Sequence, residues 1–174
     1  MKGLRVIGVL LLAAVLAGCG GKGPQRPSRW LGKAVEPDTA QLALMELNQR
    51  LAFAADEQLL QLSQEQEETY ALYQSNTWIH FYDRGDTSQP ALKRNEECTV
   101  HMTVYNLEGR LLLDSEASYI LGQYKLPLCI EFNLQEWAHG THARLLVPWY
   151  SAFGMQGQDG IPPYENVIID LYIQ

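Results

Sequence analysis

Leu145-Leu-Val-Pro-Trp-Tyr-Ser-Ala-Phe-Gly-Met-Gln-Gly-Gln-Asp-Gly-Ile-Pro-Pro-Tyr-Glu-Asn-Val-Ile-Ile-Asp-Leu-Tyr-Ile173 decides the fold. It reads as a strand, a long turn-rich loop and a second strand over 166–173. The loop carries Phe153-Gly154, then Gly157 and Gly160, then Ile161-Pro162-Pro163. Glycine and proline in this order mark successive tight turns rather than a helix. The closing strand alternates its apolar residues, as a half-buried strand does.

Upstream, the same period of two recurs. Trp78-Ile-His-Phe-Tyr82 reads as one strand, and residues 83–90 as a turn cluster. Cys98 to Tyr105 reads as a second strand with Cys98, Val100, Met102 and Val104 on one face and His101 on the other. Residues 111–114 read as a third, short strand, and 142–147 as the one before the loop. Residues 130–138 read as one short helix ending near Gly140. Five antiparallel strands with one helix form an α+β layer arrangement. Ahead of them, 38–68 reads as a long helix. Asp38 is its candidate N-cap, and Leu44, Leu47, Leu51, Ala55, Leu59 and Leu62 step along one face. Two readings stand open: the helix packs on its own domain, or it pairs with the same helix of a second copy.

The N-terminus reads as a targeting segment. Lys2 and Arg5 precede an apolar run, 6–17, too short to span a bilayer, and Leu16-Ala-Gly-Cys19 closes it. This resembles a bacterial lipobox, which implies cleavage before Cys19 and acylation of that residue. Anchoring by several acyl chains is much firmer than by one. Residues 20–35 are rich in Gly, Pro and basic side chains and read as a tether. Beyond them lie seven basic and 20 acidic residues, a net charge of −13. That balance excludes nucleic acid as a partner, which needs a basic face.

The closing stretch resembles the C-terminal signature of FKBP-type peptidyl-prolyl isomerases, whose loop runs Ala-Tyr-Gly-x-x-Gly-x-x-Gly-Ile-Pro-Pro. Here Ala152 to Pro163 fits it without a gap. Val100-His-Met-Thr103, Glu108-Gly-Arg110, Leu113-Asp-Ser115 and Tyr119-Ile-Leu-Gly122 resemble further motifs of that family. The interval from Gly122 to Gly140 also keeps the family spacing. The resemblance covers residues 77–173. It implies an antiparallel sheet wrapped around one short helix, preceded by the long N-terminal helix. The expected segments are a signal peptide at 1–18, a tether at 19–36 with lipidated Cys19, an amphipathic helix at 37–72, and an FKBP-like domain at 77–174.

Prolyl isomerisation moves no proton and makes no covalent bond. An X–Pro bond turns in about tens to hundreds of seconds, because amide resonance must be broken. A catalyst can act by binding the twisted amide more tightly than the planar one. An apolar cup serves this, with no cofactor and no metal. Carried over residue by residue, the resemblance puts the cup's strand tyrosine on Met102 and its next phenylalanine on Leu113. The family aspartate is retained as Asp114. The Val-Ile pair falls on Leu126 and Pro127, and the floor tryptophan on Ile130. The loop tyrosine falls on Phe153, the isoleucine before Pro-Pro is retained as Ile161, and the last-strand aromatic falls on Ile169. Asp114 and Phe153 are thus the implied catalytic pair, and the other seven residues the implied proline-binding wall. Most of the cup's aromatics are replaced by aliphatics, and Phe153 lacks the phenolic hydroxyl.

The same carry-over separates Cys98 from Cys129. Cys98 lies about 13 Å along its strand from Met102, while Cys129 neighbours the cup floor. A disulfide needs Cα atoms within about 7 Å, so two free thiols are expected. His139 and His142 straddle Gly140 and do not make a metal pair.

Two functions follow as expectations. One is a membrane-tethered prolyl isomerase and folding factor for exported proteins, facing the periplasm and taking prolyl polypeptides. The other is a non-catalytic FKBP-like binding or assembly module. The order of signal, helix and divergent domain is similar to lipoproteins of gliding motility and surface secretion in Bacteroidetes, which favours the second.

Overall fold

The computed structural model describes residues 38–174, apart from 87, 89, 90 and 135. The signal peptide, the tether and Cys19 lie outside the described residues. The chain divides into units 1–42 and 43–174. Of the first, only 38–42 is described.

Helix α1 spans Thr39–Glu65. Its start is a reciprocal cap: Gln41 N–H donates to Asp38 Oδ1 at 2.7 Å, and Asp38 N–H donates to Gln41 Oε1 at 3.2 Å. This arrangement satisfies donors that an uncapped helix leaves open. The helix stops short of the expected 68 and of the expected segment end at 72. Its last turn holds no cation, and Glu65, Glu67 and Glu68 would set carboxylates against the negative end of the helix dipole. The chain instead forms β1 (Ala71–Leu72), a short strand unforeseen in the sequence, and a 3-10 turn at Gln74–Asn76.

The remaining elements are β2 (Trp78–Arg84), β3 (Glu97–Asn106), β4 (Leu111–Ile120), α2 (Leu128–Leu134), β5 (Thr141–Val147) and β6 (Val167–Ile173). They build a six-stranded sheet in the order β1-β2-β5-β6-β3-β4, with every pairing antiparallel. β4 runs six residues past the expected end at 114. Its inward positions Ser115 and Ala117 are small or polar, so no apolar alternation announces it. α2 begins and ends earlier than the expected 130–138: Ile130 and Glu131 N–H both donate to the Pro127 carbonyl.

Each face of the sheet is covered differently. Val100, Met102, Val104, Leu145, Ile169 and Leu171 point inward and pack on Cys129, Ile130 and Leu134 of α2. Their neighbours Leu146 and Ile168 point outward and meet Leu59 and Leu62 of α1. Only the C-terminal half of α1 is seated this way. Ala55 and Leu59 are buried, whereas Leu44, Met45 and Leu47 are half or more exposed. The apolar row read along the whole helix therefore divides into a packed half and an open half. A second tie fixes the seated half: the Tyr150 hydroxyl donates to Asp56 Oδ1, and Asn76 Nδ2 donates to the Tyr150 oxygen at 2.9 Å.

Cys98 and Cys129 are both free and buried in the inner core. Burial pushes the Cys129 thiol up to about 12. Among the described residues no helix is long and apolar enough to cross a membrane.

Candidate active site

An open cavity of about 560 Å³ lies at one end of the inner face. β3 supplies Met102, and β4 supplies Leu113, Ser115 and Tyr119. The 121–127 loop supplies Tyr124, Lys125, Leu126 and Pro127, and α2 begins the opposite edge with Leu128. The long β5–β6 loop closes the far side with Ala152, Phe153, Gln158 and Asp159.

That last loop holds its shape through its glycines and backbone bonds. Gly154 N–H donates to Trp149 O at 2.8 Å, and Tyr164 N–H donates to Gly154 O at 3.2 Å. Gln158 and Ile161 exchange a pair of backbone hydrogen bonds at 3.2 and 2.8 Å. Gly157 directly precedes this narrow turn, with φ +67°. A Cβ there would collide with the Ile161 carbonyl oxygen, so only glycine fits. Cys129 N–H donates to Ser151 O at 3.1 Å and fastens α2 to the same loop.

Six of the expected wall and catalytic residues meet around this cavity: Met102, Leu113, Asp114, Leu126, Pro127 and Phe153. Ile130, Ile161 and Ile169 do not line it. They are 0 to 4% exposed and form the packed layer beneath. The floor that the family resemblance assigns to a tryptophan is therefore filled core.

Asp114 belongs to the cavity's rim, and its carboxylate is held by neighbours on β3. In register, Asp114 pairs with Thr103 and Ser115 with Met102. Asp114 consequently shares the outer face with His101 and Thr103. His101 Nε2 lies 2.8 Å from Asp114 Oδ1, and Thr103 Oγ1 donates to the same oxygen at 3.3 Å. The His101 hydrogen bond holds the Asp114 carboxyl below the usual carboxylate range. A group with a lowered folded pKa stabilises the fold above its unfolded pKa and loses that contribution as pH falls through the folded one. Replacing His101 by Gln should raise the Asp114 pKa toward that of an ordinary carboxyl group, read by carbon NMR titration of the side-chain carboxyl. An unchanged pKa would show that His101 does not hold it.

The cavity is also more polar and more aromatic than expected. Tyr119 and Tyr124 bring two phenols, while Ser115, Lys125, Gln158 and Asp159 add polar groups to its lining. Tyr119 stands where the resembling motif has a ring, so its signal was present in the sequence. Tyr124 and Lys125 directly precede Leu126 but had no motif of their own.

The sequence matches no protein-family model and no curated protein. Among solved structures, the chain is similar to a peptidyl-prolyl cis-trans isomerase from Pseudomonas syringae pv. tomato str. DC3000. The TM-score is 0.59 at 16% identity, over 71% of this chain and 92% of that one. The fold is FKBP-like. It is similar as well to FkpA from Escherichia coli, with a TM-score of 0.59 at 17% identity, over 76% of this chain and 62% of FkpA. The chain thus spans less than two thirds of FkpA's length. The FKBP-like sheet and its short helix agree with the architecture expected from the β5–β6 loop and the upstream motifs.

Proposed function

We propose that this chain is a membrane-tethered prolyl isomerase of FKBP type, a folding factor for exported polypeptides. The observation that carries this reading is the cavity. Its wall of Met102, Leu113, Leu126, Pro127 and Phe153 coincides with positions that the family resemblance assigns to the prolyl cup. A proline ring seated there leaves water, and the carbonyl of the preceding residue loses the hydrogen bonds that sustain the resonance of the X–Pro amide. The twisted amide then gains on both planar forms. The phenols of Tyr119 and Tyr124 supply donors near the lining that Phe153 no longer provides.

A protease-coupled assay of a prolyl tetrapeptide with the mature chain tests this. Turnover is expected, and Phe153→Tyr should raise it by up to about tenfold by restoring one hydrogen bond to the substrate backbone. Absence of turnover in both proteins would contradict the reading. The tether is expected to hold the domain at the cell envelope, facing the periplasm. Cys19→Ser should move the protein from the membrane fraction to the soluble one, and a variant that stays acylated and membrane-bound would contradict the anchor.

One observation favours a second reading. The Asp114 carboxylate at the cavity rim is already engaged by His101, and Phe153 has no hydroxyl, so the implied catalytic pair offers a substrate fewer polar contacts than the family motif does. In that reading the domain is a non-catalytic binding or assembly module, the role suggested by the likeness to gliding-motility lipoproteins. Its working surface is the open half of α1, where Leu44, Met45 and Leu47 are exposed and would pair with a second copy. Sedimentation of the mature chain as a monomer at all concentrations would refute that pairing.

A further inference from the structure

Among the described residues Glu131 is the one buried carboxylate, 2% exposed on α2. A buried carboxylate is tolerated where hydrogen bonds replace its water. Glu131 has two such bonds, both from one stretch of loop. Oε2 accepts the Gly122 N–H at 3.1 Å, and Oε1 accepts the Lys125 N–H at 3.1 Å. The two oxygens therefore clasp a four-residue turn at its ends. Inside the clasp Tyr124 takes a left-handed backbone, φ +54°, which a residue with a side chain holds only when its surroundings impose it. This turn and its continuation carry Tyr124, Lys125, Leu126 and Pro127, one whole side of the cavity. No strand ladder supports them, since β4 ends at Ile120 and α2 starts at Leu128.

We propose that Glu131 is a positioning residue that sets this wall of the cavity for a prolyl substrate, by holding the Gly122–Lys125 turn from beneath. The proposal rests on the reading of the cavity as a prolyl site. Glu131 touches no substrate. It acts through the placement of Tyr124 and Leu126.

The test pairs two readouts on the full mature chain: amide hydrogen exchange, and turnover of a tetrapeptide with leucine before the proline. Glu131→Gln keeps the shape but turns an amide group toward one of the two donors, so one clasp opens. Faster exchange is expected at whichever of Gly122 and Lys125 faces the new amide group, relative to the rest of the sheet. Turnover should fall about ten- to hundredfold, mainly through KM, as expected when a wall moves by about 1 Å. Phe132→Leu, on the same helix at a position 40% exposed and outside the cavity lining, should leave both readouts unchanged. If Glu131→Gln does not fold, Glu131→Asp keeps the charge but is one methylene too short to reach both donors, and the same two results are expected of it. Unchanged protection at Gly122 and Lys125 would overturn the positioning role alone. So would opened protection with full turnover. An inactive wild type would overturn the prolyl reading, and the positioning role with it.

Discussion

Leu59→Ala should destabilise the domain by about 2–5 kcal/mol. Leu59 is fully buried between α1 and the outer face of the sheet, against Tyr70, Leu146, Trp78 and Ile168. Removing it leaves a void beneath the seated half of α1. The Asp56–Tyr150–Asn76 contacts remain, so the sheet should keep its fold while α1 loosens. Thermal unfolding followed by circular dichroism reads the loss. Leu47→Ala on the same helix, half exposed, should stay within about 0.5 kcal/mol of the wild type. Equal losses at the two positions would mean that α1 is not seated through its C-terminal half.

The second large effect is on function. Leu126→Asp places a carboxylate on the apolar wall, at a side chain only 5% exposed. Turnover of a prolyl peptide should fall by about two orders of magnitude, because the cup no longer excludes water around the twisted amide and the near-attack placement of the ring is lost. Leu128→Asp at the more open edge, where the side chain is 44% exposed, should have a much smaller effect. A circular dichroism spectrum like that of the wild type establishes that Leu126→Asp is folded. Retained turnover in Leu126→Asp would remove the cavity as the site of reaction.

What the sequence disclosed, and what it hid, follows from the range of the forces involved. The β5–β6 loop was legible because its glycines answer local demands: Gly157 must have positive φ and no Cβ whatever the rest of the chain does. The α1 cap was legible for the same reason, Asp38 and Gln41 being three residues apart. The inner faces of β3 and β6 were written in alternation. β1 was not, because two residues carry no period. The length of β4 was hidden by Ser115 and Ala117, which face inward without being large or apolar.

The cavity was legible in part. Met102, Leu113, Leu126, Pro127 and Phe153 converge as the motif spacing implied. Ile130, Ile161 and Ile169 carry the same kind of side chain, but whether an isoleucine lines a cavity or fills the layer below depends on its neighbours in three dimensions. The direction of Asp114 depends on register. The β3–β4 ladder is interrupted between Val104 and Tyr105, and runs regularly from Leu113 onward. A shift of one residue would turn every later side chain to the other face. Spacing within a single strand does not reveal such an interruption in the pairing. The exposed half of α1 was likewise unmarked, since its leucines continue the pattern of the buried ones.

The central claim is that a proline ring enters this cavity and turns there. Methyl- and amide-labelled chain titrated with a prolyl tetrapeptide, with cis–trans exchange of the peptide read in the same NMR samples, tests it most directly. The expected result is a shift of the Met102, Leu113 and Leu126 methyls together with accelerated exchange between the two peptide forms. Shifts confined to the open half of α1, with exchange at the uncatalysed rate, would contradict it.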